Sequence, residues 1–222
     1  QIQVVELDTR YPQGAEKMMI KVITGREVPS GRLPMDVGCL VQNVGTLKAV
    51  ADAVEKNIPL IERVVTVAGK TVKDPKNLMV KTGTPFSAMF DYCGGFTGSN
   101  GKIIMGGPMM GLAQVNLDAV VVKATSGIVA IAENDVDYKP ERACIRCGRC
   151  IEACTMGLRP NLLSILSEKG MHQTAQAEYD LNDCVECGCC YYVCPSRRNI
   201  VHYIRQSKAK NAMLRNVKKS GS

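Results

Sequence analysis

The chain has 222 residues, of which 45% are hydrophobic and 22% are charged, a composition typical of a globular protein and not of a disordered or fibrous one. Its formal net charge of +7 is compatible with nucleic-acid binding, but only ten residues are aromatic and no RRM, helix-turn-helix or zinc-finger pattern is present, so we predict no nucleic-acid partner. Apolar runs such as residues 117–132 are interrupted by polar residues and fall short of the roughly 18 to 20 residues that a membrane helix needs, so we predict no transmembrane helix.

Residues 1–57 are predicted to form a strand, a helix, a loop and a second helix. Residues 2–7 are apolar and β-branched, residues 15–24 and 44–56 have helical patterns, and residues 28–38 are rich in Pro and Gly. Each predicted helix is followed by a residue that readily adopts the left-handed conformation, namely Gly25 and Asn57. The second helix has one apolar face, formed by Val44, Leu47, Val50, Ala51 and Val54. Because Gln1 opens directly onto the predicted strand without an initiator Met or a leader, we expect the natural protein to be longer.

Residues 58–134 have a different pattern, of short strands around one helix. Thr84 is a candidate N-cap followed by Pro85 at the first position of a helix that runs to Tyr92, where Gly94-Gly95 stops it. Strands are predicted at residues 64–67, 102–105, 119–123 and 127–131. These elements predict a small α+β unit.

Residues 138–215 contain an internal repeat with an offset of 40 positions. Its cysteines are Cys144, Cys147, Cys150 and Cys154 in the first copy and Cys184, Cys187, Cys190 and Cys194 in the second. Helices are predicted at residues 160–168, 171–179 and 199–216, and residues 216–222 are a tail. Eleven cysteines would suggest disulfides in a secreted protein, but this spacing favours thiolate ligands and a reducing compartment.

The spacing C-x2-C-x2-C-x3-C is typical of proteins that bind two [4Fe-4S] clusters. A tight loop with cysteines at every third position brings three thiolates to one face of a cluster, and in two-cluster ferredoxins the fourth comes from the other run. We therefore predict one site formed by Cys144, Cys147, Cys150 and Cys194 and another formed by Cys184, Cys187, Cys190 and Cys154. Two oxidised clusters would each add about −2 with their thiolates and reduce the net charge to about +3.

Other interpretations apply to single features of this segment. One C-x2-C pair would equally suit zinc, whereas two complete runs favour clusters. Cys39, Cys93 and Cys189 are predicted to be packing residues. Four arginines lie beside predicted ligands, where they either raise the reduction potential of a cluster or serve solubility alone, namely Arg146, Arg149, Arg197 and Arg198.

The two cysteine runs, CIRCGRCIEACTMGLRPNLL and CVECGCCYYVCPSRRNIVHYIRQSK, closely resemble the RnfC (RsxC) subunit of the Rnf electron-transport complex. The resemblance continues upstream through YPQGAEKMMIKVITGREVPSGRLPMDVGCLVQNVGTL, IERVVTVAGKTV and GGPMMG, so it covers essentially the whole chain. It implies an α+β multidomain protein with three parts. These are the C-terminal part of an α/β domain similar to the NADH-binding flavoprotein subunit of complex I (1–57), a β-grasp SLBB domain (58–134) and an α-helical dicluster ferredoxin-type domain (138–215).

The resemblance also implies a flavin site. In the complex I relative, a Tyr-x-x-Gly-Glu-Glu stretch and an Asn-Asn-Val-Glu-Thr stretch line the FMN and NADH pocket. The matching residues in this sequence are Tyr11, Gly14 and Glu16, and Gln42, Asn43 and Thr46. Ala15 and Gln42 depart from the pattern, and helix capping is the alternative role for Asn43 and Thr46.

The function implied by the resemblance is electron transfer between ferredoxin and NAD+ through two [4Fe-4S] clusters and FMN, coupled to Na+ or H+ translocation. The implied partners are NAD(H) and other Rnf subunits, including membrane-embedded ones and a ferredoxin-like one, and the implied location is the cytoplasmic face of the cell membrane. The glycine-rich phosphate loop of such flavoproteins is absent from this sequence, so we expect FMN and NAD(H) binding from the complete subunit. The alternatives are a docking and relay module without flavin, and a related cobalamin reductase.

Overall fold

A computed structural model describes residues 2–220, and the side chains as far as Val217. The helices are α1 (Glu16–Thr24), α2 (Val44–Lys56), α3 (Phe86–Tyr92), α4 (Arg149–Glu152), α5 (Pro160–Glu168), α6 (His172–Tyr179), α7 (Cys189–Tyr192) and α8 (Ile200–Ser220). The strands are β1 (Glu62–Gly69), β2 (Lys76–Lys81), β3 (Asn100–Met105), β4 (Leu112–Gln114) and β5 (Gly127–Ala132). The fold class is thus mixed, with one sheet and helices, as predicted. None of the described helices is both long and apolar enough to cross a membrane.

The chain divides into two units, one formed by Gln1–Val41 with Pro140–Ser222 and the other by Gln42–Lys139. These limits differ from the predicted ones, because the segment before residue 42 groups with the cysteine-rich part of the chain while α2 groups with the sheet. The three-domain division at residues 57 and 134 stays a prediction.

The unit of residues 42–139 is built on a five-stranded sheet with strand order β2-β1-β5-β3-β4. β1 pairs in parallel with β5, and the remaining neighbours are antiparallel. Alternate residues of β1 point to the core because successive side chains in a strand face opposite sides. Val65 and Val67 are therefore fully buried, and they pack with Phe86 and Phe90 of α3 in one apolar core.

Several sequence-based predictions of elements before residue 134 are wrong. Residues 2–7 are not a strand, since no described segment pairs with them and Ile2 is 94% exposed. Residues 119–123 make one isolated bridge, Pro85 with Val120, and not a strand. Pro85, and not Thr84, is the N-cap of α3. β2 and β4 were not predicted.

The helix ends were predicted well. Gly25 follows α1 and Asn57 follows α2, both in the left-handed conformation with φ of 70° and 55°. The Asn43 side chain caps α2 by accepting a hydrogen bond from the Gly45 N–H at 2.9 Å. The apolar face of α2 is exposed, with Val44 at 80% and Val54 at 78%.

Gly69 at the end of β1 should not tolerate a side chain. Its φ is 136°, and a Cβ built there would lie 2.1 Å from the carbonyl oxygen of Ala130 on the paired strand. We expect Gly69→Ala to lower the free energy of unfolding of this unit by about 2 to 4 kcal/mol, because the backbone of β1 must move away from the backbone of β5 to make room for the Cβ atom. Chemical denaturation measures this, with Gly107→Ala as the control because no atom lies within 4 Å of a Cβ at that glycine. Equal stability of the two variants would contradict the prediction.

The other unit contains the cysteine repeat, and its structure repeats with the same offset as its sequence. The short helices α4 and α7 start at residues 149 and 189, and the longer helices α5 and α8 start at residues 160 and 200. α5, α6 and α8 pack around an apolar core. The fully buried members of this core are Leu163, Ala175, Leu181 and Ile204.

Candidate metal centre

The eight repeat cysteines line two separate cavities of similar size. The first cavity is lined by Cys144, Cys147, Cys150 and Cys194. The second is lined by Cys154, Cys184, Cys187 and Cys190. Each cavity thus receives three thiols from one run and the fourth from the other run, which is the grouping that we predicted from the spacing. That these thiols are cluster ligands stays a prediction.

The two cysteine loops have matching backbone conformations. Arg146 and Glu186 occupy the same loop position with φ of 56° and 58°, and Gly148 and Gly188 follow with φ of 81° and 85°. Left-handed residues that alternate with right-handed ones turn successive N–H groups toward one point and form a concave anion site. One such contact is present, since the Glu186 N–H donates to Cys184 Sγ at 3.4 Å. The second loop thus directs one backbone N–H at a cysteine sulfur, and the first loop has the same left-handed residues at the corresponding positions.

The most buried thiols resist ionisation. Burial, together with the neighbouring thiols of Cys184, Cys187 and Cys154, raises the pKa of Cys190 to about 12. Burial also raises the pKa of Cys150 and of Cys184. Cluster ligands are thiolates, so binding of iron at these sites must displace protons.

The donor set fits a cluster better than a single metal ion. Among the residues that the structure describes, no three His, Cys, Asp or Glu side chains are close enough together to share one ion. A [4Fe-4S] cluster binds one thiolate at each of four separate iron corners, so its ligands stand further apart than those of a tetrahedral zinc. Four thiols spread over the lining of each cavity meet that requirement.

A buried arginine lies beside the first cavity. Arg198 is 6% exposed and pairs through Nη1 with Glu141 at 3.1 Å and through Nη2 with Glu168 at 2.6 Å. Burial lowers the pKa of this guanidinium, but the hydrogen bond that it donates to Glu168 and the charges of both glutamates outweigh that effect and raise it. Arg198 is therefore a fixed, charged part of the wall of the first cavity.

The second cavity is flanked by one acidic and two basic side chains, whereas the first has one basic and two acidic side chains beside it. Glu186 accepts from Arg205 Nε and from Lys208 Nζ, both at 2.8 Å. Lys208 also donates to the carbonyl of Cys184 at 2.6 Å. Burial opposes ionisation of Glu186, but the hydrogen bonds from Lys208 and Arg205 outweigh it and lower its pKa.

The segment before residue 42 contacts the second cysteine loop directly. The Tyr11 hydroxyl donates to the carbonyl of Cys187 at 2.5 Å, and Lys17 pairs with Asp183 at 3.1 Å. Sequence patterns do not predict these contacts, because the partners lie 176 and 166 positions apart. The first loop is more open, with Cys147 exposed.

The predicted flavin residues fall in both units. Tyr11, Gly14 and Glu16 lie at and before the start of α1, in the unit that contains the cysteines, and Tyr11 and Glu16 are exposed. The others surround the start of α2 in the sheet unit, namely Gln42, Asn43 and Thr46. Asn43 is the N-cap of α2, which is the alternative role that the sequence suggests for it. Contact of these six residues with FMN stays a prediction.

The three remaining cysteines differ in their surroundings. Cys93 is fully buried in the sheet unit, as predicted for a packing residue. Cys39 is half-buried near the carbonyl of Val37. Cys189 is half-buried beside Cys187, and burial together with that neighbour raises the pKa of the Cys189 thiol to about 11.

Comparison with known proteins gives the same order of parts. Models of three families match, namely the Nuo51 FMN-binding domain at residues 1–52, the SLBB domain at residues 64–113 and the 4Fe-4S dicluster domain at residues 143–197. The RnfC protein of the proton-translocating ferredoxin:NAD(+) oxidoreductase complex of Clostridium ljungdahlii is 58% identical over 95% of this chain and 46% of its own length. The chain belongs to the RnfC family.

Other RnfC relatives are similar over most of the chain. The RnfC protein of the Na(+)-translocating ferredoxin:NAD(+) oxidoreductase complex of Acetobacterium woodii is 42% identical over 77% of this chain and 38% of its own length. The RnfC protein of the ion-translocating oxidoreductase complex of Rhodobacter capsulatus is 45% identical over 68% of this chain and 29% of its own length. The chain spans less than half the length of these RnfC relatives.

Within this RnfC chain, sequence reasoning missed most of the groups that surround the cavities. Asn161 lines the first cavity, and Glu141 and Glu168 fix Arg198 there. The repeat offset carries a usable signal, because it aligns polar Asn161 with apolar Val201 and so marks one difference between the two sites.

Proposed function

We propose that this chain is the electron-transfer part of the RnfC protein of an ion-translocating ferredoxin:NAD+ oxidoreductase. The observation that carries the proposal is the grouping of eight cysteines into two four-thiol cavities. Each [4Fe-4S] cluster, when bound, takes up and releases one electron, and FMN, when bound in the complete subunit, converts between such single electrons and the hydride of NADH. The match to a Nuo51 FMN-binding domain supports the flavin part of the proposal.

The role of the chain's own residues is to hold and insulate these groups. The first cluster is assigned to Cys144, Cys147, Cys150 and Cys194, and the second to Cys184, Cys187, Cys190 and Cys154. Apolar residues of α5 and α8 close the second cavity from the side of the core, among them Leu163 and Ile204. Excluding water from a cluster changes its potential and protects it, which suits an electron relay.

The proposed partners are NAD(H) and other subunits of the same complex, including membrane-embedded ones and a ferredoxin-like one. The names of the relatives support this proposal, since they are subunits of ion-translocating complexes. We propose the cytoplasmic face of the membrane as the location, because clusters held by free thiols are typical of a reducing compartment.

Anaerobic iron, sulfide and flavin analysis of the purified chain tests the proposal, together with EPR of the dithionite-reduced sample. We expect about eight irons and eight sulfides per chain, with spectra of two interacting clusters. Two zinc ions, or about four irons, would contradict the assignment of two clusters. Bound flavin in the same sample would support the six flavin residues, whereas full cluster content without flavin in the complete subunit would favour a docking and relay module.

A further inference from the structure

The internal repeat allows each cavity wall to be compared with its counterpart 40 positions away. Asn161 in the first cavity corresponds to Val201 in the second, and Arg198 in the first corresponds to Leu158 in the second. Two polar side chains therefore stand where the other site has two apolar ones. The backbone that carries them is equivalent, because α5 and α8 begin at corresponding positions.

Both polar side chains have an atom without a partner. Arg198 uses its two terminal nitrogens for Glu141 and Glu168, and its buried Nε–H is left unpaired. The side-chain oxygen of Asn161 is also buried and unpaired, and a half-turn of the amide exchanges its oxygen for its N–H2 donor. A buried polar group without a partner is unfavourable, so an acceptor inside the cavity is the expected complement.

We propose that Arg198 and Asn161 donate hydrogen bonds to the sulfur atoms of the cluster at Cys144, Cys147, Cys150 and Cys194, and so raise its reduction potential. This inference rests on the proposed function. Reduction adds negative charge to a cluster, so N–H donors stabilise the reduced form more than the oxidised form. The second cluster has no side-chain donor at either equivalent position, because Leu158 and Val201 stand there.

The net charges of the ion-pair groups beside the two cavities favour the opposite order of reduction potentials from the one that the N–H donors favour. The pairs of Arg198 with two glutamates carry a net charge of −1, whereas Glu186 with Arg205 and Lys208 carries +1. The order of the two potentials depends on both effects. The donors are separable from the charges by substitution, because Asn161→Val changes no charge and copies the residue at the equivalent position.

The experiment is an EPR-monitored redox titration of the complete, cluster-loaded subunit. We expect Asn161→Val to make one midpoint potential more negative and to leave the other unchanged. The expected shift is about 59 mV, which for one electron corresponds to a tenfold change in the ratio of reduced to oxidised cluster at a given potential. Arg198→Lys keeps the charge but loses the Nε–H and should shift the same midpoint in the same direction. Val201→Asn adds a donor at the second site and should move the other midpoint positively.

Iron content separates this inference from the proposed function. Fewer than two clusters in the wild-type protein would contradict the proposed function itself. About eight irons in every variant, with both midpoints unchanged in Asn161→Val and Arg198→Lys, would overturn the donor role alone. If Asn161→Val loses its cluster, Val201→Asn decides the question at the intact second site, where an unchanged midpoint overturns the proposal.

Discussion

Replacing Cys194 with Ala should remove the cluster of the first cysteine run, although Cys194 belongs to the second run. The reason is that Cys194 lines the same cavity as Cys144, Cys147 and Cys150. We expect iron to fall from about eight to about four per chain, and the EPR signature of interacting clusters to be lost. Cys154→Ala should have the same effect on the other site.

Double variants decide whether the ligands are crossed between the runs. Cys194→Ala with Cys144→Ala should still retain about four irons, because both substitutions affect one site, whereas Cys194→Ala with Cys184→Ala should retain almost none. The opposite pattern would show that each run holds its own cluster. Cys189→Ala is the control, because Cys189 does not line either cavity, and it should keep about eight irons.

The elements predicted correctly from the sequence are those specified by local signals. α1, α2 and α5 have helical periodicity and clear ends, and Asn57 adopts the left-handed conformation expected of a helix stop. The strand predicted at residues 2–7 has the right composition, but a strand needs a partner and local sequence does not specify one. β2 and β4 were missed because they depend on pairing with β1 and β3.

The thiols of the cysteine sites were more predictable from the sequence than the groups that surround them. Spacing and the ferredoxin pattern were enough to group the eight thiols. The position of Arg198 beside a ligand was read from the sequence, but its ion pairs were not predictable, because Glu141, Glu168 and Arg198 meet only after three separate segments have folded together. The hydrogen bond from Tyr11 to the Cys187 carbonyl likewise joins residues 176 positions apart.

The contacts at Tyr11 and Lys17 give the two cluster sites different neighbours within one unit. The second loop is bound by the segment that carries three of the predicted flavin residues, whereas Cys147 in the first loop is exposed. If those residues do bind FMN, the second site is the one tied to the flavin segment. The strength of this attachment is measurable.

Lys17→Met should loosen α1 from the second cysteine loop. Lys17 and Asp183 are only 19% and 13% exposed, and removing Lys17 leaves the largely buried Asp183 carboxylate without its ionic partner. We expect the free energy of local opening to fall by about 3 kcal/mol, or roughly a hundredfold faster amide hydrogen exchange in residues 16–24. Lys21→Met is the matched control on the same helix, since Lys21 and Glu27 are 56% and 70% exposed, and exchange should change less than about twofold.

The pH dependence of this exchange gives an independent check on the same ion pair. Burial opposes ionisation of Asp183, but hydrogen bonds from Ser30, Lys17 and the Gly31 backbone outweigh it and hold its pKa below the usual value. A lowered pKa means that the pair stabilises the folded form fully above the unfolded pKa of about 4, and that this stabilisation disappears as pH falls through the folded pKa. After correction for intrinsic exchange, wild type and Lys17→Met should therefore differ at pH 7 and converge in acid. A difference that persists below the folded pKa would show that Lys17 acts through packing and not through its charge.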